Sequence, residues 1–522
     1  MKLRRAWLAA GLTIACGWMT LAAADAIVDV EGGAVSGTVT SGVRIFKGIP
    51  YAAPPIGDLR WRPPQPVVPW SKSGVRNASA YGAECPQTQY PAGSIYIRPL
   101  PPQSEDCLFL NVWTAAKLGE RQPVFVWIHG GALTKGSGYS DVRDGTPLAS
   151  KGVVVVSLNY RLGPLGYLAH PELTAESPHH SSGNYGVLDQ IAALQWVRKN
   201  IAAFGGDPAK VTIGGESAGA WSVNTLVASP LAKGLFIRAI AESGGRFGHG
   251  AHLSDDRNGV TPAERIGLAF AKTAGADSIK ALRAVSAERL VEISSFRTQE
   301  TVDGWVLPEE IRAIFAQKRH NNVPVIVGAN ANEMTSLAGA AIVPKSMDEY
   351  RRRIAQQYGD QAGGFDAAYG VTGESDIADA ILGAARDVTF ALHMRTWARM
   401  TVAAGAKAYQ YSFSHVPPHP NRARLRAFHA AELPYVFNAL ESGDPREAGF
   451  VYTEADHRLA DQMSSYWTNF VKRGDPNGHG LPTWTPYNLE SEPYLDFGDT
   501  VQERAHLLKA QLDFQEKVQS HR

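Results

Sequence analysis

Cysteine is scarce in this chain, with three residues in 522. None stands with histidine at the spacing of a zinc site, so no metal is implied. His179 and His180 lie in a Ser- and Pro-rich stretch that reads as a solvated loop. Charge of one sign is not in excess either; the formal net charge is +1. That balance gives no reason to expect nucleic acid or an anionic membrane surface as a partner. After the first residues, no segment is long and apolar enough to span a bilayer. Linkers, internal repeats and low-complexity breaks are missing too. One large domain carrying insertions, residues 25–522, is therefore expected, although roughly 500 residues exceed the usual size of a single core.

Residues 1–24 read as a signal peptide rather than as fold. Lys2, Arg4 and Arg5 form a basic start, an apolar run follows, and Ala22-Ala23-Ala24 fits a small-residue cleavage site. An N-terminal membrane anchor is the competing reading. A second is lipidation at Cys16, because Thr13-Ile14-Ala15-Cys16 is loosely lipobox-like. Removing the leader takes away three positive charges and leaves a formal net charge of −2. An exported, periplasmic or extracellular protein would then keep Cys85 and Cys107, enough for one disulfide. Closing a loop of about twenty residues would stabilise it by ~3 kcal/mol. Two buried free thiols are the alternative.

Along the chain, residues 27–49 alternate apolar and polar, with Gly-rich turns, which predicts two or three antiparallel strands. Residues 60–69 are rich in Pro and Trp and are expected to be irregular. Continuous apolar runs at 124–128 and 153–158 read as strands buried on both faces, and 211–213, 235–241, 323–327 and 408–413 as further central strands. Ile191, Leu194, Val197 and Ile201 mark one face of a helix between two of them. Strands alternating with helices indicate an α/β architecture with a parallel-rich sheet. Residues 255–319 and 347–405 are expected to be helical insertions that roof the sheet, and 455–472 and 503–518 late outer helices.

The organising stretch is Val211-Thr212-Ile213-Gly214-Gly215-Glu216-Ser217-Ala218-Gly219-Ala220. A β-branched run enters a Gly-x-Ser-x-Gly turn, and a helix-like segment from Trp221 leaves it. Strand, tight turn and helix are the context a nucleophile elbow requires. Side chains on Gly215 or Gly219 would collide with the neighbouring strand or helix. The N–H of Ala218 would stand at a helix N-terminus, where it can face a developing oxyanion. His129-Gly130-Gly131-Ala132 directly follows an earlier strand, where the remaining oxyanion donors of such a site come from.

Further motifs run through nearly the whole chain. They include Phe46-Lys47-Gly48-Ile49-Pro50-Tyr51-Ala52, Glu105-Asp106-Cys107-Leu108-Phe109-Leu110-Asn111-Val112 and Asn159-Tyr160-Arg161-Leu162-Gly163. Later come Asn184-Tyr185-Gly186, Phe204-Gly205-Gly206-Asp207-Pro208, Val302-Asp303-Gly304 and Gly474-Asp475-Pro476-Asn477. With these, the chain resembles the type-B carboxylesterase and lipase family, the cholinesterase-like α/β-hydrolases. Within that family it is most similar to bacterial para-nitrobenzyl-esterase-type carboxylesterases. The resemblance implies an α/β-hydrolase fold: a large, mostly parallel central sheet flanked by helices, with helical insertions and an antiparallel N-terminal edge.

It also implies roles by position. Ser217 matches the nucleophile, Glu333 the triad acid and His429, in Phe428-His429-Ala430-Ala431-Glu432, the base. Gly131, Ala132 and Ala218 match the oxyanion donors, and Cys85 with Cys107 the family's first disulfide loop. The family usually carries Asp-Glu-Gly at the acid, where this chain has Asn332-Glu333-Met334. Asp303 is the substitute acid, and His415 and His419 are rivals to His429. His129 is expected to brace the oxyanion loop, and Ser243 to play a supporting part. Trp221, Trp305, Phe247 and Tyr435 are candidates for either pocket wall or core.

The expected chemistry is hydrolysis of a small-molecule carboxylic ester through an acyl-enzyme, with no cofactor and no metal. The rival functions are a lipase acting at an oil interface, amide hydrolysis on the same machinery, and a non-catalytic binding module of the same fold. Cholinesterase-like relatives hold quaternary ammonium on a Trp of the first disulfide loop. Between Cys85 and Cys107 this chain has Tyr90 and Tyr96 but no Trp. No strong preference for choline esters is therefore expected.

Overall fold

The computed structural model describes residues 26–117, 119–139, 143–444 and 447–520. The leader read at 1–24, with Cys16, lies outside them. The main sheet comprises β1 (Thr38–Thr40), β2 (Val43–Pro50), β3 (Phe109–Thr114), β4 (Gln122–Ile128), β5 (Val154–Leu158), β6 (Gly206–Glu216), β7 (Arg238–Glu242), β8 (Val325–Asn330), β9 (Ala408–Phe413), β10 (Pro493–Phe497) and β11 (Val501–Ala505). Their spatial order is β11-β10-β9-β8-β7-β6-β4-β5-β3-β2-β1. Strands β4 to β10 pair in parallel. Strands β1 to β3 make the N-terminal edge antiparallel, and β11 does the same at the other edge.

The continuous apolar runs follow from this burial. In β4, Val124, Val126 and Ile128 enter one core, while Phe125 and Trp127 enter the core on the opposite face. Parallel neighbours need crossovers, and helices supply them. Helices α1 (Tyr185–Asn200), α2 (Ala218–Ala228) and α3 (Leu392–Ala403) bury Leu194, Val223 and Trp397 in the first core. Helix α4 (Glu454–Arg473) buries Met463, Trp467 and Phe470 in the second. Each such side chain contributes roughly 1.5–3 kcal/mol by leaving water. A capping box between Thr453 and Asp456 starts α4, and Gly474, at φ 73°, ends it. Among the described residues, no helix is long and apolar enough to cross a membrane.

Two segments differ from the sequence reading. Ile27–Val30 and Gly33–Ser36 form an antiparallel pair, but they join Arg76–Asn77 in a separate small sheet rather than the main one. Residues 503–518 were expected to be one helix, yet 501–505 form β11 and the helix begins at Lys509. Residues 502–505 are exposed, so β11 is held by backbone pairing on an open sheet edge. Such a strand leaves no apolar alternation to read. The helices Met347–Tyr358, Ala362–Tyr369 and Ile377–Arg386 bury their own cluster against Val518 of the last helix.

A buried ion pair ties the loop after β5 to α1. Arg161 grips Asp189 through Nε at 2.8 Å and Nη2 at 2.7 Å, and its backbone N–H donates to the same carboxylate. The disulfide Cys85–Cys107 closes a loop beside the sheet, with a sequence separation of 22.

Candidate active site

Strand β6 delivers the chain to Ser217, which sits at φ 57° and ψ −122°, and α2 begins at the next residue. A non-glycine residue rarely holds that backbone, so the turn is strained and the surrounding packing must enforce it. The glycines explain how. A Cβ on Gly219 would lie 2.1 Å from the carbonyl oxygen of Ile128, the last residue of β4. A Cβ on Gly215 would lie 2.6 Å from the backbone of Gly219. The Ser217 N–H donates to Glu242 O at 2.8 Å, which anchors the turn to the end of β7.

The loop after β4 runs beside this turn. Gly131, Ala132 and Leu133 all have positive φ, at 104°, 56° and 61°. Among the described residues, the N–H groups of Gly131 and Ala132 donate to no protein acceptor. His129 supports the loop from behind: its Nδ1 lies 2.8 Å from Gly130 O and its ring stacks on Tyr160 at 4.4 Å. Burial drives its pKa down to about 3, so this imidazole is neutral.

Glu333 follows β8 and His429 lies in the loop after β9. His429 Nδ1 is 2.6 Å from Glu333 Oε2, and Glu333 Oε1 accepts the Asn330 N–H at 2.7 Å. Glu333 is fully buried and His429 nearly so. Position 334 opens a short helix, Met334–Leu337, so the backbone there has no need of the usual glycine. His429 is held on every side. Phe390 stacks on its ring at 5.1 Å, its N–H donates to Ser336 Oγ at 3.2 Å, and its carbonyl accepts Tyr96 OH at 2.9 Å. Tyr96 belongs to the loop that the disulfide closes. Ser217, Glu216, His429, Gly131, Ala132, Tyr90 and Tyr96 line one cavity of about 190 Å³.

Comparisons with known proteins give the family of the chain. The model of the carboxylesterase family matches residues 24–515. The chain is 37% identical to the fumonisin B1 esterase of Sphingopyxis macrogoltabida, over 90% of this chain and 86% of that protein. It is 36% identical to the para-nitrobenzyl esterase of Bacillus subtilis, over 90% of this chain and 94% of that protein. A carboxylesterase structure from Geobacillus stearothermophilus superposes with a TM-score of 0.80 at 31% identity, covering 94% of this chain and 99% of that one. The chain belongs to the carboxylesterase family. It is thus a carboxylic ester hydrolase with the α/β-hydrolase fold.

The remaining sequence candidates of this carboxylesterase lie elsewhere. Asp303 accepts Ser181 Oγ at 2.6 Å and the N–H groups of Trp305 and Leu307, which makes it the pin of a turn. His415 bridges Asp456 and Asp499, and His419 packs its ring against Phe428 and Phe450. Ser243 is buried at φ 52° with no partner for its hydroxyl among the described residues, and its neighbour Gly244 abuts the Ser217 carbonyl. Phe247 and Tyr435 are core, Trp305 stacks on His179, and Trp221 lines a larger cavity that shares Ala132 with the first.

What sequence reasoning missed is a cluster of buried carboxylates around His429. Glu216 Oε1 lies 3.1 Å from His429 Nε2. Asn330 Nδ2 joins Glu432 to Phe428 O, and Glu242 accepts Trp467 Nε1 at 2.7 Å. Burial disfavours charge on His429, but the carboxylates of Glu216, Glu333 and Glu432 outweigh it and push its pKa up to about 9. Burial and the neighbouring carboxylates hold Glu432 and Glu242 well above the usual carboxylate range. The signals were present: Glu216 is the second residue of the Gly-x-Ser-x-Gly motif and Glu432 stands three residues after His429.

Proposed function

We propose that this carboxylesterase works through a Ser217–His429–Glu333 triad and an acyl-enzyme. The observation that carries the reading is the 2.6 Å contact between His429 and Glu333 in a cavity that Ser217 also lines. Glu333 holds the proton on His429 Nδ1, leaving Nε2 to act as base. His429 Nε2 takes the Ser217 Oγ proton as Oγ attacks the ester carbonyl carbon. The oxyanion is met by the N–H groups of Gly131, Ala132 and Ala218, which are fixed before substrate arrives. The tetrahedral intermediate collapses, the bond to the alcohol oxygen breaks, and the imidazolium gives the alcohol its proton. Water then repeats the sequence on the acyl-enzyme and releases the acid. Glu216, close to Nε2, adds negative charge where the imidazolium forms.

The substrate is a small-molecule carboxylic ester, and the enzyme works outside the cytosol. The leader-like residues 1–24 and the Cys85–Cys107 disulfide support export. The test is hydrolysis of p-nitrophenyl esters from acetate to palmitate by wild type and Ser217→Ala. Short-chain activity that drops by ~10⁶-fold in kcat in the variant is the expected result. A folded Ser217→Ala enzyme with undiminished activity would refute the triad. Export is tested separately, by fractionating cells that express the full chain; a protein confined to the cytosol with residues 1–24 intact would count against it.

A further inference from the structure

The larger cavity, about 400 Å³, adjoins the site at Ala132 and has an unusual wall for an ester pocket. Trp221, one turn into α2 from Ser217, carries the Arg246 guanidinium over its ring at 4.2 Å. Arg246 Nε lies 3.0 Å from Glu300 Oε2, and the Arg246 backbone is fixed by Asn224 Oδ1 at 2.8 Å. The guanidinium is therefore held in place before any ligand enters. Arg297 lines the same cavity, is exposed, and makes no ion pair among the described residues. Gln299 and Glu300 also face the cavity. Both are more than nine-tenths buried, and among the described residues Gln299 Nε2, both Glu300 carboxylate oxygens and Arg246 Nε have no hydrogen-bond partner, the Arg246–Glu300 contact being an ion pair.

An alkyl chain is a poor occupant for such a wall, because it would strip water from these groups and return no hydrogen bond. The wall's unpaired cation favours an anion. In the cavity wall Arg246 and Arg297 stand against Glu300 and Glu310. Glu310 is engaged at the far wall by His249 Nδ1 at 3.1 Å and by Asn258. Glu300 pairs with Arg246, so Arg297 is the wall cation that has no ion pair among the described residues. Glu300 occupies the Nε side of Arg246, leaving the Nη edge free for a planar acceptor.

We propose that this cavity is a subsite for a free carboxylate borne by the ester substrate, bound by Arg246 and Arg297. The substrate class is then a half-ester of a dicarboxylic acid, or an ester of a hydroxy acid. The proposal rests on the ester-hydrolase reading above.

The experiment compares kcat/KM, followed by acid release, for monomethyl glutarate and 4-acetoxybutanoate with the values for their neutral counterparts, dimethyl glutarate and butyl acetate. The first anionic probe carries its carboxylate on the acid side and the second on the alcohol side. At least one is expected to match or exceed its neutral counterpart in wild type. That ratio should fall by about tenfold or more in Arg297→Gln, and further in Arg297→Glu, while the surface variant Arg458→Gln keeps the wild-type ratio. Arg297 is exposed, so these variants should fold even if Arg246→Gln does not. Raising ionic strength should lower the same ratio. Both anionic probes hydrolysed at least tenfold worse than their neutral counterparts, or a ratio unmoved by the Arg297 variants, would overturn the subsite while hydrolysis of the neutral esters left the parent reading standing. No hydrolysis of any neutral ester would bring down both.

Discussion

Replacing Glu216 by Gln probes the electrostatics of the site directly. Glu216 Oε1 and His429 Nε2 are 3.1 Å apart, and both side chains are buried. At that separation an effective dielectric of about 20 gives roughly 5 kcal/mol between unit charges, equivalent to about four pKa units. Burial of the imidazole opposes this and Glu333 and Glu432 add to it, the net result being a rise from 6.5 to about 9. Among the carboxylates Glu216 makes the largest charge–charge contribution to that rise, so its loss should lower the His429 pKa by about 1–3 units. In the proposed mechanism the base acts as neutral imidazole, so activity should rise as pH rises through that pKa. The ascending limb of kcat/KM, which reports the free enzyme, should lie near pH 9 in wild type and distinctly lower in Glu216→Gln. The alkaline plateau should drop as well, since the imidazolium formed during attack loses a counter-charge. A pH-stat titration of ethyl butyrate hydrolysis measures both. A wild-type limb at the ordinary histidine value, or a limb that stays put in Glu216→Gln, would refute the reasoning.

The same cluster makes stability depend on pH. His429 binds its proton more tightly in the folded chain than in the unfolded one. Its contribution is complete below pH 6.5 and is lost as pH rises through about 9. Glu432 and Glu242, also raised, act with the same sign, so the thermal midpoint should fall across this window; a rise would contradict the account. Removing the disulfide by Cys85→Ser with Cys107→Ser should cost ~3 kcal/mol, read by denaturant unfolding. Activity should fall with it, because Tyr96, which holds the His429 carbonyl, rides on that loop. Asp189→Asn leaves the Arg161 charge buried without its counter-ion and should destabilise by about 3–5 kcal/mol. A denaturation midpoint unchanged from wild type would show that water compensates the charge.

Local chemistry made much of this protein legible in its sequence. A strand buried on both faces favours a continuous apolar run, which exposed β4 and β5. The steric demand at Gly215 and Gly219 made the turn at Ser217 visible, and the family's spacing brought Glu333 and His429 with it. Edge strand β11 was hidden because backbone hydrogen bonds leave no trace in side-chain type. The role of Met334 was hidden for a related reason, since a helical backbone there removes the need for glycine.

The sequence by itself determined the sheet-and-helix order, the elbow, and which residue types were available for acyl transfer. Only the tertiary structure decided how they meet. Glu216, Glu333 and Glu432 lie far apart in the chain, and their shared effect on His429 depends on distances of a few ångströms in a medium that screens poorly. The same holds for Arg246, Arg297 and Glu300, which face one cavity because the segment after β7 folds back over α2. Pattern is a property of neighbours along the chain. Field and cavity are properties of neighbours in space, and those are set by the fold.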